Sequence, residues 1–236
     1  MKKINTPFLF LLVIRCCLAQ MPSTPAQLAG WLDRQPVEMP GETGFWSSEP
    51  TVSVARLRHH TPGKAWAAFS RSQKLANAGA WQQAALELGK AVTIDPDFAE
   101  AHNNLGVCDV EIERFESAAG ELRRAIELDP ADSAFHANLS LALILLHLQP
   151  EAEQEARTAV TLDAANSKAH YLLGFLLAEH PETRERAAEH LTYAARDLPA
   201  AHYRLAQIYQ ATGQTSRAGA ELERYRKAFT GQAKTK

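Results

Sequence analysis

The sequence predicts an all-α fold: about five tandem helix-turn-helix repeats stacked as an α-solenoid, preceded by an irregular Pro-rich segment. Three observations predict it. The hexads Ala91-Val92-Thr93-Ile94-Asp95-Pro96, Ala125-Ile126-Glu127-Leu128-Asp129-Pro130 and Ala159-Val160-Thr161-Leu162-Asp163-Ala164 share one pattern and recur at a 34-residue period. Ala101-His102-Asn103-Asn104-Leu105-Gly106 returns two periods later as Ala169-His170-Tyr171-Leu172-Leu173-Gly174. Proline is frequent up to Pro62 and rare after it. A fixed period of this length marks a repeat architecture in which each unit buries its apolar face only against its neighbours.

Composition agrees and excludes other classes. The chain has 236 residues, 46% of them hydrophobic, which is enough for a packed core. Lys plus Arg is 25 against 27 Asp plus Glu, so the basic excess of a nucleic-acid binder is missing. Three cysteines make no disulfide framework.

Residues 1–19 read as a secretory signal peptide. Lys2 and Lys3 precede an apolar run from Pro7 to Ile14, and small residues follow at Cys17 and Ala19. Cleavage after Ala19 makes Gln20 the first mature residue and leaves Cys108 as the one thiol. Arg15 interrupts the pattern, so an uncleaved N-terminus stays an alternative, as does a lipid anchor on Cys16 or Cys17. No transmembrane anchor is expected in the mature chain, because no apolar run is long enough.

Residues 20–64 hold six of the twelve prolines and several glycines, which excludes long helices. Ala26 to Arg34 is compatible with two helical turns. Thr51 to Arg58 begins with the alternation of an extended piece. Trp31, Phe45 and Trp46 are unusual for a free linker, so part of this segment is expected to dock on the helical domain.

From Ala65 the units are 65–98, 99–132, 133–166, 167–198 and 199–230, with a tail at 231–236. Gly106, Ser140, Gly174 and Ala206 occupy one close crossing. Ala84, Ala118, Ala152, Ala187 and Ala218 occupy a second, and Ala91, Ala125, Ala159 and Ala194 a third. Phe115, Leu122, Leu139, Leu173, Leu191, Leu205 and Leu222 supply bulk between them. Pro96 and Pro130 are expected to stop the second helix of their units. The fourth unit is short, and Pro181 implies a rebuilt inter-helix turn. Glu121 reads as an exposed position that tolerates replacement.

This pattern of a large residue, Leu-Gly, an aromatic, then Ala and Pro at a 34-residue period resembles the tetratricopeptide repeat. The resemblance covers residues 65–230. It implies that the first helices line a concave groove that holds a peptide or a partner's helix. Carried over by position, the groove residues are Trp66, Phe69, Asn103, Asn104, Val107, Asn138, Leu141, Lys168, Tyr171, Phe175, Tyr203, Arg204 and Gln207. Rings supply contact area and amides bind extended backbone. Tyr171, Phe175 and Tyr203 are the expected aromatic anchors. The alternative is that several of these residues pack under 20–64 or face water. The family's carboxylate clamp is not recognisable, because Val107 and Leu172 stand at two of its places.

His102, His136, His170 and His202 recur at one place in successive units. Equivalent helices in stacked units lie about 8–10 Å apart, too far for neighbouring rings to share one ion, so these histidines read as packing residues. Cys108 reads as a small buried thiol, and Asn138-Leu139-Ser140 as a chance glycosylation match inside a helix. No catalytic motif occurs, so no enzymatic activity and no cofactor or metal are expected. The function expected is an exported scaffold, periplasmic or extracellular, that binds a protein or peptide and no nucleic acid. The alternative is a structural part of an envelope or secretion assembly that uses the convex face or the chain ends.

Overall fold

The structure, a computed structural model, describes residues 60–232. The expected signal peptide, most of the proline-rich segment and the last residues of the tail lie outside the described residues. These form two compact units that divide between Leu198 and Pro199.

The first unit holds four helical hairpins: α1 (Gly63–Asn77) with α2 (Trp81–Ile94), α3 (Ala99–Glu111) with α4 (Phe115–Leu128), α5 (Ser133–Leu145) with α6 (Gln149–Leu162), and α7 (Ser167–Ala178) with α8 (Arg184–Ala194). The second unit holds one hairpin, α9 (Ala200–Ala211) with α10 (Thr215–Gln232). No strand occurs among the described residues, and none of their helices is long and apolar enough to cross a membrane. The tandem helical hairpins expected from the 34-residue period are therefore present.

Small residues set the helix crossings. Ala84, Ala118, Ala152 and Ala187 are fully buried, as are Ala91, Ala125, Ala159 and Ala194. Leu88, Leu122 and Leu191 fill the space between them. Within the first unit each helix contacts its chain neighbour, and α3 also meets α5, and α5 meets α7, so first helices touch first helices.

The turns follow from backbone stereochemistry. Gly79, Glu113 and His147 stand one period apart from each other and all adopt positive φ, as does Gly213 in the fifth hairpin. In the first three hairpins the next amide reaches back five residues, as in Ala80 N–H to Leu75 O at 2.8 Å, Arg114 to Asp109 at 2.8 Å and Leu148 to Leu143 at 2.9 Å. This is the left-handed helix end that satisfies otherwise orphaned carbonyls. One period after His147 the residue is Pro181, whose ring fixes φ in the negative range and forbids that conformation. The chain makes a 3-10 turn there, Pro181–Thr183, and α8 starts one residue late relative to the period.

The second helices end differently from the sequence expectation. α2, α4 and α6 all stop one residue before Asp95, Asp129 and Asp163, and each Asp carboxylate accepts the backbone N–H two residues on. In the third hairpin Ala164 stands where Pro96 and Pro130 stand, yet the helix ends at the same place. The Asp bend, rather than proline alone, stops these helices. At the other end, Asp132 accepts from Ala134 N–H and Asn166 from Ala169 N–H, capping α5 and α7.

Candidate functional site

The repeat brings successive first helices side by side. Along α3, α5 and α7 this produces a chain of polar side chains. Lys168 Nζ donates to Asn138 Oδ1, Asn138 Nδ2 donates to Asn103 Oδ1 at 2.7 Å, and Asn103 Nδ2 donates to Asn104 Oδ1 at 3.1 Å. Four of the residues carried over from the family resemblance are thus one connected group. Asn103 and Asn138 are buried, whereas Asn104 and Lys168 are half-buried. Burial holds the Lys168 ammonium well below its ordinary pKa, and the Glu111 carboxylate opposes that shift. A side-chain amide can make four hydrogen bonds. Within this chain Asn103 and Asn138 each use one donor and one acceptor position.

The other expected groove residues fall into separate groups. Trp66, Phe69 and Phe98 form a ring cluster with centroids 4.9–5.4 Å apart. Phe69 is buried, and Trp66 stays 46% exposed. Val107 and Leu141 are buried. Tyr171 is only 1% exposed and Phe175 only 7%, so both rings are core-like rather than displayed. Their truncation therefore costs packing as well as any contact. Tyr203, Arg204 and Gln207 lie on α9 in the second unit. There Tyr203 sits 5.6 Å from the Tyr225 ring, and Arg204 Nη1 donates to Gln207 Oε1 at 2.9 Å.

The histidine series is hydrogen-bonded as well as packed. Nδ1 of His102, His136 and His202 meets Glu121, Glu155 and Glu221 at 2.7, 2.6 and 2.6 Å. Nε2 of His102 and His136 meets the Pro96 and Pro130 carbonyls at 3.0 and 3.1 Å. Each histidine thus ties a first helix to its second helix. Burial pulls the His136 imidazolium down, but Glu155, the Pro130 carbonyl and Asp132 outweigh it and leave the pKa above its ordinary value. Sequence reasoning missed these glutamates. The available signal was a Glu nineteen residues after each of three histidines. Glu121 is accordingly a partner of His102, which corrects its reading as a tolerant exposed position.

The fourth hairpin departs from this pattern. Nineteen residues after His170 comes Glu189, but the extra turn residue at Pro181 moves it away. His190 takes the place, with Nδ1 facing His170 Nδ1 at 2.9 Å. Cys108 is buried, and its thiol is pushed up to about 12 by desolvation and by Asp109 and Glu111. That environment suppresses thiolate chemistry. Among the described residues no group of three or more His, Cys, Asp or Glu side chains converges as metal ligands. Asn138 and Ser140 of the glycosylation match are buried, with Ser140 Oγ donating to the Ala152 carbonyl at 2.8 Å.

No curated protein matches the sequence. The chain resembles the solved structure of MamA, with 19% identity, a TM-score of 0.57, and coverage of 69% of this chain and 96% of that one. It resembles PilF of Pseudomonas aeruginosa with 22% identity, a TM-score of 0.61, and coverage of 69% and 75%. It also resembles YrrB, described as a TPR protein with an unusual peptide-binding site, with 18% identity, a TM-score of 0.53, and coverage of 68% and 84%. At these identities the likeness is one of fold. The tetratricopeptide repeat family model matches residues 75–143. Residues 75–143 carry the tetratricopeptide repeat, and the helical hairpins around them make this a protein of tetratricopeptide-repeat fold.

Proposed function

We propose that this protein is an exported, non-catalytic scaffold that captures an extended protein segment on its first-helix face. The observation that carries this reading is the polar chain Lys168–Asn138–Asn103–Asn104, which runs across three successive first helices. Amides that have hydrogen-bonding capacity beyond the chain suit the alternating donors and acceptors of a peptide backbone. An acidic ligand group beside Lys168 would favour its charged form against burial, so the proposed segment carries an acid at that end. The exposed edge of Trp66 offers apolar contact area. The peptide-binding site named for YrrB supports the reading only through shared fold. Export rests on Lys2, Lys3, the apolar run and Ala19.

The test begins with peptides selected from a displayed random library against the full chain. Binding calorimetry then compares Lys168→Met and Asn104→Ala with Arg123→Ala, which changes an exposed residue on a second helix. The first two are expected to weaken binding at least tenfold with helicity unchanged, and the third to leave it alone. Equal affinities across all three would move the site to the convex face or the chain ends.

A further inference from the structure

We propose that residues 49–59 of this same chain, which lie outside the described residues, run extended along the first-helix face of the first unit as its resident occupant. The inference rests on the face read above as a capture surface, and it names what holds that face before a partner arrives. The first argument is burial. The second helices are buried along one stripe, α4 at Ala118, Ala119, Leu122 and Ala125, and α6 at Ala152, Ala156 and Ala159. The first helices are buried without a break, α5 from Phe135 to Ile144 and α7 from Tyr171 to Leu177. Successive residues turn by about 100° around a helix, so runs of that length close the whole circumference. Val107 and Leu141 each follow Asn104 and Asn138 by three residues, which puts them on the side of the polar chain. Phe175 holds the same position one period later. All three are at most 7% exposed. A groove open to water would leave these side chains wet, so the face is covered.

The second argument is reach. The described chain enters this face directly, because residues 60–62 lead into α1. Neighbouring first helices at about 8–10 Å put α7 about 24–30 Å from α1. An extended chain rises about 3.3 Å per residue, so about eight or nine residues span that distance. Counted back from His60, residues 51–59 cover the face and Glu49 falls at the α7 end. A segment joined to the domain by so short a link has an effective concentration on the order of millimolar. Residues 20–40 carry four prolines, which lack the N–H that a side-chain amide would accept, whereas 51–59 carries none.

The third argument is complementarity. In an extended chain alternate side chains share one side, which groups Val52 and Val54 with Arg56 and Arg58. From the α7 end the segment therefore reads acid, two apolar residues, two bases. The face reads in the matching order. Lys168 stands on α7, Phe175 and Leu141 follow on α7 and α5, and Glu100 and Glu111 stand on α3, both half-buried. Glu111 acts electrostatically on Lys168, which places it on the groove side, and Glu100 shares its repeat position with Lys168. The remaining hydrogen-bonding capacity of Asn103 and Asn138 suits the backbone of the segment. A captured segment then has to displace this one.

A photo-crosslinking p-benzoylphenylalanine at position 104 of the full chain, with the products mapped by mass spectrometry, tests the placement. Crosslinks within one chain to residues 49–59 are expected. Crosslinks confined to the described helices, or reaching residues 1–48 or a second molecule, overturn the proposal. A synthetic peptide of residues 49–59, titrated into the full chain, tests the occupancy. Val54→Asp in the chain is expected to raise its affinity for that peptide at least tenfold, and Ser53→Asp, on the other side of the extended segment, to leave it unchanged. Equal affinities in wild type and Val54→Asp overturn the proposal. Library-selected peptides that need Lys168 and Asn104 yet ignore Val54→Asp would uphold capture and overturn self-occupancy. Crosslinks to 49–59 with no selected peptide bound at this face would uphold self-occupancy and overturn capture.

Discussion

A Cβ atom built on Gly106 would stand 2.6 Å from Leu122 Cγ and 3.0 Å from the Ala118 carbonyl oxygen. The same relationship recurs at Gly174, with Leu191 Cγ at 2.7 Å and the Ala187 carbonyl at 3.0 Å. Neither neighbour yields easily, because one is core and the other is backbone. Gly106→Ala and Gly174→Ala are each expected to lower stability by about 1–3 kcal/mol through overpacking. Gly120 lies in α4 with nothing within 4 Å of its would-be Cβ, so Gly120→Ala should raise stability by about 0.5–1 kcal/mol. Urea midpoints report both signs. A stabilising Gly106→Ala would mean that the helices cross elsewhere.

Glu113 and His147 carry side chains in a conformation that favours glycine. A left-handed residue with a Cβ costs roughly 1–2 kcal/mol, part of which glycine gives back as unfolded-chain entropy. Glu113→Gly and His147→Gly are each expected to gain about 0.5–1 kcal/mol in thermal or chemical unfolding. The same change at Arg114, whose φ is negative, should not.

The His136–Glu155 pair ties stability to pH with a definite sign. The folded pKa of His136 is raised, so its contribution is complete below the ordinary histidine value and fades as pH rises through the folded one. Glu155→Gln should cost about 1–3 kcal/mol, as for hydrogen bonds to charged groups. The loss should be larger at pH 6 than at pH 9. His170 and His190 run the other way. Their folded values are depressed, so wild-type stability falls as pH drops below the ordinary value, and His190→Glu should flatten that fall. Denaturant titrations of the three proteins between pH 5 and pH 9 measure both slopes.

Exported protein is expected to begin at Gln20 and to hold one thiol. Intact mass checks the first point, and retention of Met1 or a diacylglyceryl mass would refute it. Cys108 is buried with its pKa pushed up to about 12, so Ellman's reagent should find no reactive thiol in the native chain and one after unfolding.

The helices were legible because the same alanines and glycines that permit close crossings also repeat at a fixed interval. Ala118, Ala152 and Gly106 announce themselves by size. The partners of His102 and His136 did not, because a pair nineteen residues apart across a turn shows in no local pattern. Pro181 was legible as a disturbed turn. That it would exchange Glu189 for His190 requires knowing that the turn needs a left-handed residue. Asn103, Asn104, Asn138 and Lys168 were found by position, but their connection into one chain depends on helix spacing. Tyr171 and Phe175 look like anchors in a sequence, since an aromatic ring reads the same whether it is covered or displayed.

Among the described helices of the first unit, the main contacts run between chain neighbours, with smaller ones between successive first helices. Packing in that unit is therefore built mostly from neighbouring hairpins. The unit's amide protons should exchange with solvent in graded fashion rather than all at once. It should also accept a copy of residues 99–132 inserted after residue 132, because each new surface would meet the complement it already has. Length is then an adjustable property of this architecture, and the number of periods can change without redesigning any interface between them.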